Sequence, residues 1–516
     1  MKNLANVIKN YKIVFPESGD TKVSAVASVL KKEILRYTDT DIEIVKDTVE
    51  AAEYEIIVGL TSRQESEASL ATLKTYAGKE IFSVRIVGKK IVIIGLSDDD
   101  TVLGVKYFVK NYLKSEPKNK RLSLDKNSVI YVKTGKVLYY TENYDAVVLE
   151  NLTAVRDPGP ENTERFTYGK IVKLEHSGEN NGILFATNEN IYCRPWSIYR
   201  SFDDGHTWDI LPLVRDDINI GFTMGYQSNI YELPVDMGKY KQGTLLFVSC
   251  TYGKENTFMY LAASDDLGES FTGICNIAEG FGFNKGGWSS DALWEPALIF
   301  EESTGRMYCF YSDELENGEG EEHIGGHNQR LVYRYTTDLE NWSETYNASA
   351  LGKLRPGMIA LTRLGDGRYA FVGEMVGYEG GGNWTPIKFA DTLDSWNPYE
   401  PGKYITTAEG IGLGGAPGIT WTPDGGDCGT LFVVAHHNIT KDGPAPCSLF
   451  MSFDYGETFV NIENPIPVRF NPKTYNGYSC GFFTDKDGYV YYINNCDMYP
   501  DAGGERLMLA KIKVYG

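Results

Sequence analysis

One short pattern, repeated at long and regular intervals, limits what this chain can fold into more than any other feature. It reads SFDDGHTW at 201–208, SDDLGESF at 264–271 and SFDYGETF at 452–459. Worn copies stand at 336–342 (TTDLENW) and 390–396 (ADTLDSW). The copies begin about sixty residues apart, a stride that marks repeated supersecondary units. Asp and Gly at this spacing make a tight hairpin turn, in which the carboxylate accepts backbone N–H groups while the aromatic packs between strands. This is the Asp-box pattern, and its aspartates are structural.

Each copy follows a hairpin of two apolar strands. Six such pairs can be read: YGKIVKLE/ILFATNEN, SNIYELP/GTLLFVSCTYG, WEPALIFE/RMYCFYSDE, GMIALTRL/RYAFVGEM, PGITWTP/GTLFVVAHHN and GYSCGFFTD/YVYYINNCD. Six hairpins with five boxes predict an all-β six-bladed β-propeller over residues 136–516. Its last blade would close through the terminal strand LMLAKIKVY and the strand KVLYY at 136–140, which removes the free sheet edge. Composition agrees: 54 glycines supply tight turns, and 35 tyrosines suit half-buried sheet positions.

The first 135 residues read differently, alternating strand and helix signals. Strands are expected at 11–15, 42–45 and 55–59, helices at 23–35 and 66–76, and a hairpin over 83–95 around Gly88. A helix over 98–113 would be capped by Asp98, Asp99 and Asp100. The charged stretch 114–127 (KSEPKNKRLSLDKN) reads as a linker. The chain is therefore expected to be multidomain, an N-terminal α/β sandwich-like domain (1–135) ahead of the propeller. EYEIIVGLTSR and KKIVIIGLSDDDTVLGVKYFV resemble the α/β accessory domain of hexosaminidases and α-glucuronidases, which implies a supporting role.

Charge and motif content exclude several functions. A net charge of −20 argues against nucleic acid or an anionic membrane as partner. The longest apolar runs are strand length, far short of a membrane span. The basic N-terminus has no apolar h-region, so no signal peptide is visible and a cytoplasmic location is the expectation, or a secreted one if a leader was trimmed. The eight cysteines show no C-x-x-C pairing and read as buried free thiols. His323 and His327 form the one H-x3-H, with no third ligand nearby. No metal and no cofactor is expected.

In a propeller the innermost strand of each blade lines the central channel, so strand starts and their partners' ends converge on one rim. The starts supply Arg165, Tyr226, Gln227, Trp294, Glu295, Arg355, Pro356 and Tyr478. The ends supply Asn190, Asp313, Glu314, Glu374, His436, His437, Asn494 and Asn495. Glu295 in LWEPALIF, beside an indole in an apolar strand, should be hard to ionise, as suits a general acid. Glu374 lies one blade further on, and adjacent blades could hold two carboxyls at roughly 5–5.5 Å. For any one glutamate alone, a buried ion pair with an arginine such as Arg355 is the simpler reading; two on adjacent inner hairpins change that balance.

The order YRSFDDGHTW, LWEPALIF, YCFYSDE, Gln329, RPGMIALTRLGDGRYAFVGEM and GAPGITWTPDGG resembles glycoside hydrolase family 93, over most of residues 160–500. The resemblance implies a retaining exo-α-1,5-L-arabinanase that releases arabinobiose from an oligosaccharide or polysaccharide. Glu295 would then be acid/base and Glu374 nucleophile. Tyr226, Trp288, Trp294 and Tyr478 would be stacking walls, with Glu314, Arg355, His436 and Asn494 on sugar hydroxyls. The first inner strand departs from the pattern with Lys170. A sialidase is the alternative, sharing blades and boxes but needing three arginines (Arg165, Arg194 and Arg355 are candidates) and a Tyr nucleophile. A propeller that binds carbohydrate without cleaving it is the other.

Overall fold

The computed structural model describes residues 8–18, 21–75, 82–113, 128–133, 136–140, 146–159, 164–190, 196–221, 224–253, 255–281, 292–314, 329–351, 354–378, 382–468, 476–499 and 504–515. The linker at 114–127, Trp288, Arg194, His323 and His327 lie outside them. Two compact units result: residues 1–150 with 424–426 and 513–516, and residues 151–423 with 427–512.

In the first unit the strands lie in the order Ile44–Lys46, Lys12–Phe15, Glu55–Val58, Lys90–Gly95, Phe82–Val87, Ser128–Lys133. The first four are parallel and the last pairs antiparallel. Helices Thr21–Thr38, Gln64–Thr75 and Asp98–Phe108 supply the crossovers, and the helix over 98–113 continues past Phe108 as a π-helical turn. Ile13, Ile56, Val58, Ile91 and Ile93 pack against Val23, Leu30, Val102 and Phe108, all fully buried or nearly so. Parallel strands covered on a face read as apolar runs, as Glu55–Val58 does. The cap of the third helix differs from expectation. Ser97, not one of the aspartates, is the N-cap, and Asp100 at the third helical position reciprocates. A hydroxyl reaches the helix N–H while the carboxylate returns to Ser97 N, which satisfies both donors. Gly95 makes the entry possible, since a Cβ there would lie 2.4 Å from Asp100 backbone.

The second unit is built of antiparallel sheets. Their innermost strands are Phe166–Lys173, Met224–Glu232, Leu293–Glu301, Arg355–Arg363, Gly418–Thr422 and Gly481–Thr484. Each is the first strand of a four- or five-stranded sheet, and successive first strands touch, the last against the first. Six sheets in such a closed ring are a β-propeller arrangement. The last sheet runs Gly481–Thr484, Tyr489–Tyr499, Gly504–Tyr515, then Ala146–Arg156, and finally Lys136–Tyr140. The strand at Ala146–Arg156, which the sequence pattern did not single out, stands between the terminal strand and KVLYY. A small three-stranded sheet (Gly412–Gly414, His437–Thr440, Gly443–Pro446) is inserted in the fifth repeat.

Aromatic and aliphatic side chains fill the seams between sheets. Phe185, Trp196 and Ile198 of the first meet Phe247 and Tyr260 of the second, and Tyr308 and Phe310 of the third meet Phe371 and Trp396 of the fourth. Tyr252, Tyr260, Tyr308, Tyr311, Tyr491 and Tyr492 are fully buried, so much of the tyrosine content is core. Each such side chain contributes about 1.5–3 kcal/mol over its exposed state.

The repeated turns join third to fourth strands. In the first, Asp203 Oδ1 accepts Thr207 N at 2.8 Å and Oδ2 accepts the Thr207 hydroxyl at 2.7 Å, which holds the Asp203 carboxyl down at about 2. Ser201 Oγ accepts Gly205 N at 2.9 Å. The same bonds recur at Asp266 with Ser264 and at Asp454 with Ser452. The residue after each aspartate is left-handed (Asp204 φ 59, Leu267 φ 58, Tyr455 φ 56). Ser201→Ala strands the buried Gly205 N–H and should cost about 1–2 kcal/mol, read as a lowered midpoint of thermal or urea unfolding; an unchanged midpoint would refute this account of the turn.

Candidate active site

The innermost strands are interrupted at one level of the channel. In four of them two residues face one on the neighbouring strand: Tyr168-Gly169, Gln227-Ser228, Glu295-Pro296 and Met358-Ile359. These are β-bulges, and the first residue of each is left-handed, with φ 52, 48, 64 and 54. Ala416 (φ 25) and Ser479 (φ 57) hold the equivalent place just ahead of the remaining two strands. A side chain in this conformation costs roughly 1–2 kcal/mol. What is gained is a backbone N–H withdrawn from the strand ladder. Met358 N donates to Glu295 Oε2 at 2.8 Å, and Gln227 N to Glu189 Oε2 at 3.2 Å. Ala416 N donates to Glu374 Oε2 and Tyr168 N to Tyr478 O, both at 3.4 Å.

Glu295 and Glu374 are brought to this ring from neighbouring sheets. Glu295 is half-buried. Ser312 Oγ donates to its Oε2 at 2.7 Å and the Tyr168 hydroxyl to its Oε1 at 3.3 Å, while its own N–H reaches Gln227 Oε1 at 3.3 Å. Burial, then the charge of Glu374, push the Glu295 carboxyl up to about 7; Ser312, Met358 N and Arg355 pull the other way without prevailing. Glu374, 7% exposed, accepts Asn383 Nδ2 at 3.1 Å besides Ala416 N. Gly357 pairs with Glu374 across the ladder, and a Cβ there would come within 3.5 Å of its carboxylate and 2.3 Å of Gln329.

The third glutamate behaves differently. Glu314 forms an ion pair with Arg355, whose charge is held by Glu314, Glu374 and Glu295 against the cost of burial. Asp313 pairs with Arg330 at 3.0 Å and Arg165 with Glu505 at 3.6 Å. His436 packs edge-on to Tyr478 (5.3 Å between ring centres), and Tyr478 in turn to Tyr168 (5.8 Å). Burial, with His437 beside it, lowers the His436 imidazole to about 4, so it is neutral at pH 7. Tyr226 and Trp294 both lean on buried Tyr252, at 5.1 and 5.0 Å; they wedge the seam between second and third sheets while staying partly exposed. Asn494, at 1% exposure, is engaged within its own strand: its amide donates to Tyr492 Oη and its carbonyl accepts Asn495 N. Tyr168, Ser312 and Asn383, absent from the sequence-derived candidates, are the groups in contact with the two acids. The bulges that aim them leave only a faint trace, a Gly or Pro after Tyr168 and Glu295.

Solved structures of similar fold include three that carry sugars or a sugar analogue. The chain matches the α-L-arabinofuranosidase of Fusarium graminearum, solved with an iminosugar inhibitor, at 23% identity and TM-score 0.59, over 71% of this chain and 98% of that one. It matches the same organism's family 93 α-L-arabinofuranosidase with arabinobiose at 24% identity and TM-score 0.57, over 70% and 97%. The Penicillium chrysogenum α-L-arabinanase with arabinobiose matches at 26% identity and TM-score 0.57, again over 70% and 97%. No protein-family model and no curated protein matches the chain. The propeller is family 93-like in fold.

A cavity of about 380 Å³ continues down the channel from the ring, past Lys170, Tyr231, Ile299 and Leu361. Its walls are the later halves of the inner strands, whereas Glu374, Glu314, Arg355 and His436 gather at the opposite strand ends. Glu295, Tyr168 and Gln227 sit at the boundary. Among the described residues no three His, Cys, Asp or Glu side chains are grouped to hold a metal. Since the negative charge of Glu374 opposes ionisation of Glu295, Glu374→Gln should bring the Glu295 midpoint down from about 7. Isotope-edited infrared titration of glutamate carboxyls would read the shift, and a midpoint left in place would refute the coupling.

Proposed function

We propose that this chain is a glycoside hydrolase that releases arabinose-based products from arabino-oligosaccharides, acting from chain ends with retention. One observation carries the reading: a carboxyl held near neutrality, Glu295, faces a second carboxylate, Glu374, on the next innermost hairpin, and neither forms an ion pair among the described residues. A glycosidase needs two carboxyl groups of different proton affinity across one bond. Glu295 protonates the leaving oxygen and Glu374 attacks the anomeric carbon; water deprotonated by Glu295 then releases the sugar and returns both groups to their starting state. The likeness to an arabinanase and an arabinofuranosidase, each solved with arabinobiose, favours a furanosyl substrate. In this reading the ring is a six-bladed Asp-box propeller, and the α/β unit is an accessory domain that supports it.

One feature favours exchanged roles within the same pair. Glu295 accepts donors on both oxygens, as suits a standing carboxylate, whereas among the described residues the hydrogen bonds to Glu374 fall on Oε2, which leaves Oε1 to the substrate. The arginines of the rim weigh against a sialidase, since Arg165, Arg330 and Arg355 each already face a carboxylate of the chain. A substrate carboxylate would have to compete with those partners.

On arabino-oligosaccharides Glu374→Gln and Glu295→Gln should each lower turnover by about 10²–10⁴-fold. Azide should rescue the acid/base variant with an activated aryl arabinoside and give a retained glycosyl azide. An inverted azide from a Glu295→Ala protein would exchange the two roles, and full activity in both variants would end the hydrolase reading. The wild-type rate should fall as pH rises through about 7, where the Glu295 proton is lost. A profile flat from pH 5 to 9 would exclude Glu295 as the acid.

A further inference from the structure

The two oxygens of Glu295 are not equivalent. Oε2 accepts from Ser312 Oγ at 2.7 Å and from Met358 N at 2.8 Å, which occupies both of its in-plane lone pairs. Oε1 meets the Tyr168 hydroxyl at 3.3 Å. The Ser312 hydroxyl can accept from a protonated Oε2, as the Tyr168 hydroxyl can from Oε1, so what the geometry distinguishes is the ionised form, in which Tyr168 is the donor to Oε1.

Tyr168 is built into place to meet that oxygen. It is the left-handed residue of its own bulge, its N–H is bonded to Tyr478 O at 3.4 Å, and its ring stands edge-on to Tyr478 at 77°. Gln227 Nε2 lies 3.5 Å from its hydroxyl oxygen. A backbone N–H can only donate. A phenol can donate to Oε1 when Glu295 is ionised and accept from it when Glu295 is protonated.

From this geometry we propose that Tyr168 is a positioning residue: its hydroxyl donates to Oε1 of Glu295, orients that carboxyl and stabilises its ionised form. The inference rests on Glu295 taking part in the proposed hydrolysis, in either of its two roles, and adds which side chain governs its ionised form. Glu374, Arg355, Lys170, Cys250 and Tyr252 also face the Glu295 carboxyl, and Glu189 and Tyr478 face Tyr168. All stay in place in Tyr168→Phe, which removes one hydroxyl and keeps the ring.

The test titrates Glu295 in the full chain without substrate, by isotope-edited infrared spectroscopy, taking the band missing from Glu295→Gln as the reporter. In Tyr168→Phe the midpoint should rise by about one unit, since a hydrogen bond to a charged group is worth about a factor of ten in that equilibrium. On an arabino-oligosaccharide kcat should fall about tenfold with KM within about twofold. The alkaline limb of the rate should move upward together with the carboxyl. Should Tyr168→Phe unfold, 3-fluorotyrosine placed at position 168, a more acidic donor, must move the same midpoint downward. An unmoved midpoint overturns the proposal, and so does a raised KM with kcat intact. Full turnover in Glu295→Gln would defeat the hydrolase reading, while the substrate-free titration would still decide whether Tyr168 governs that carboxyl.

Discussion

The geometry of the site depends on backbone N–H groups taken out of the sheet ladder. In an unbroken innermost strand every N–H not facing an edge is spent on its neighbour. The bulges at Tyr168, Gln227, Glu295 and Met358 free one donor per sheet at a single level of the channel. The left-handed conformation this requires is unfavourable for residues that are not glycine. It persists because the strands on either side are locked by the packed seams, among them the Trp196–Phe247 and Phe310–Trp396 contacts. Local strain is thus held by packing elsewhere, as at many functional sites.

Fixed donors of this kind do what mobile water does poorly. Met358 N and Ala416 N are already oriented towards Glu295 and Glu374, so a negative charge on either carboxyl meets a fixed dipole rather than one that must first turn. The electrostatics around them are asymmetric. Arg355 is committed to Glu314 and reaches Glu295 and Glu374 only through space, which leaves burial and mutual repulsion to dominate at Glu295. Glu295 is therefore a carboxyl that ionises reluctantly. The neutral imidazole of His436 adds no charge to alter this.

Much of this was legible in the sequence, for reasons that can be named. Period-2 apolar runs and the recurring Asp turn are local, and they mark the six inner hairpins. Hairpin topology then puts Glu295, Glu374 and Glu314 at strand ends on one side. The indole beside Glu295 signals an apolar setting, in keeping with its raised carboxyl. Other features resisted reading. Ser97 caps the helix in place of the aspartates because the helix begins at Asp98, which leaves Ser97 at the cap and Asp100 as its reciprocal partner. Asn494 was drawn inward by Tyr492 and Asn495, partners that a strand-end rule does not weigh. The strand at Ala146–Arg156 carries NLT and a polar face, so its alternation is weak.

The amino-acid order alone determined the repeat, the strand pairs and the placing of the glutamates at strand ends, because these follow from spacing and from side-chain chemistry within a few residues. Tertiary structure decided which glutamate is paired with arginine, which donors meet each oxygen of Glu295, and that Tyr168 stands beside it. Those outcomes depend on bulges and on contacts between residues more than a hundred positions apart, such as Tyr168 with Glu295. A difference of one residue in register would turn each such side chain to the other face of its sheet.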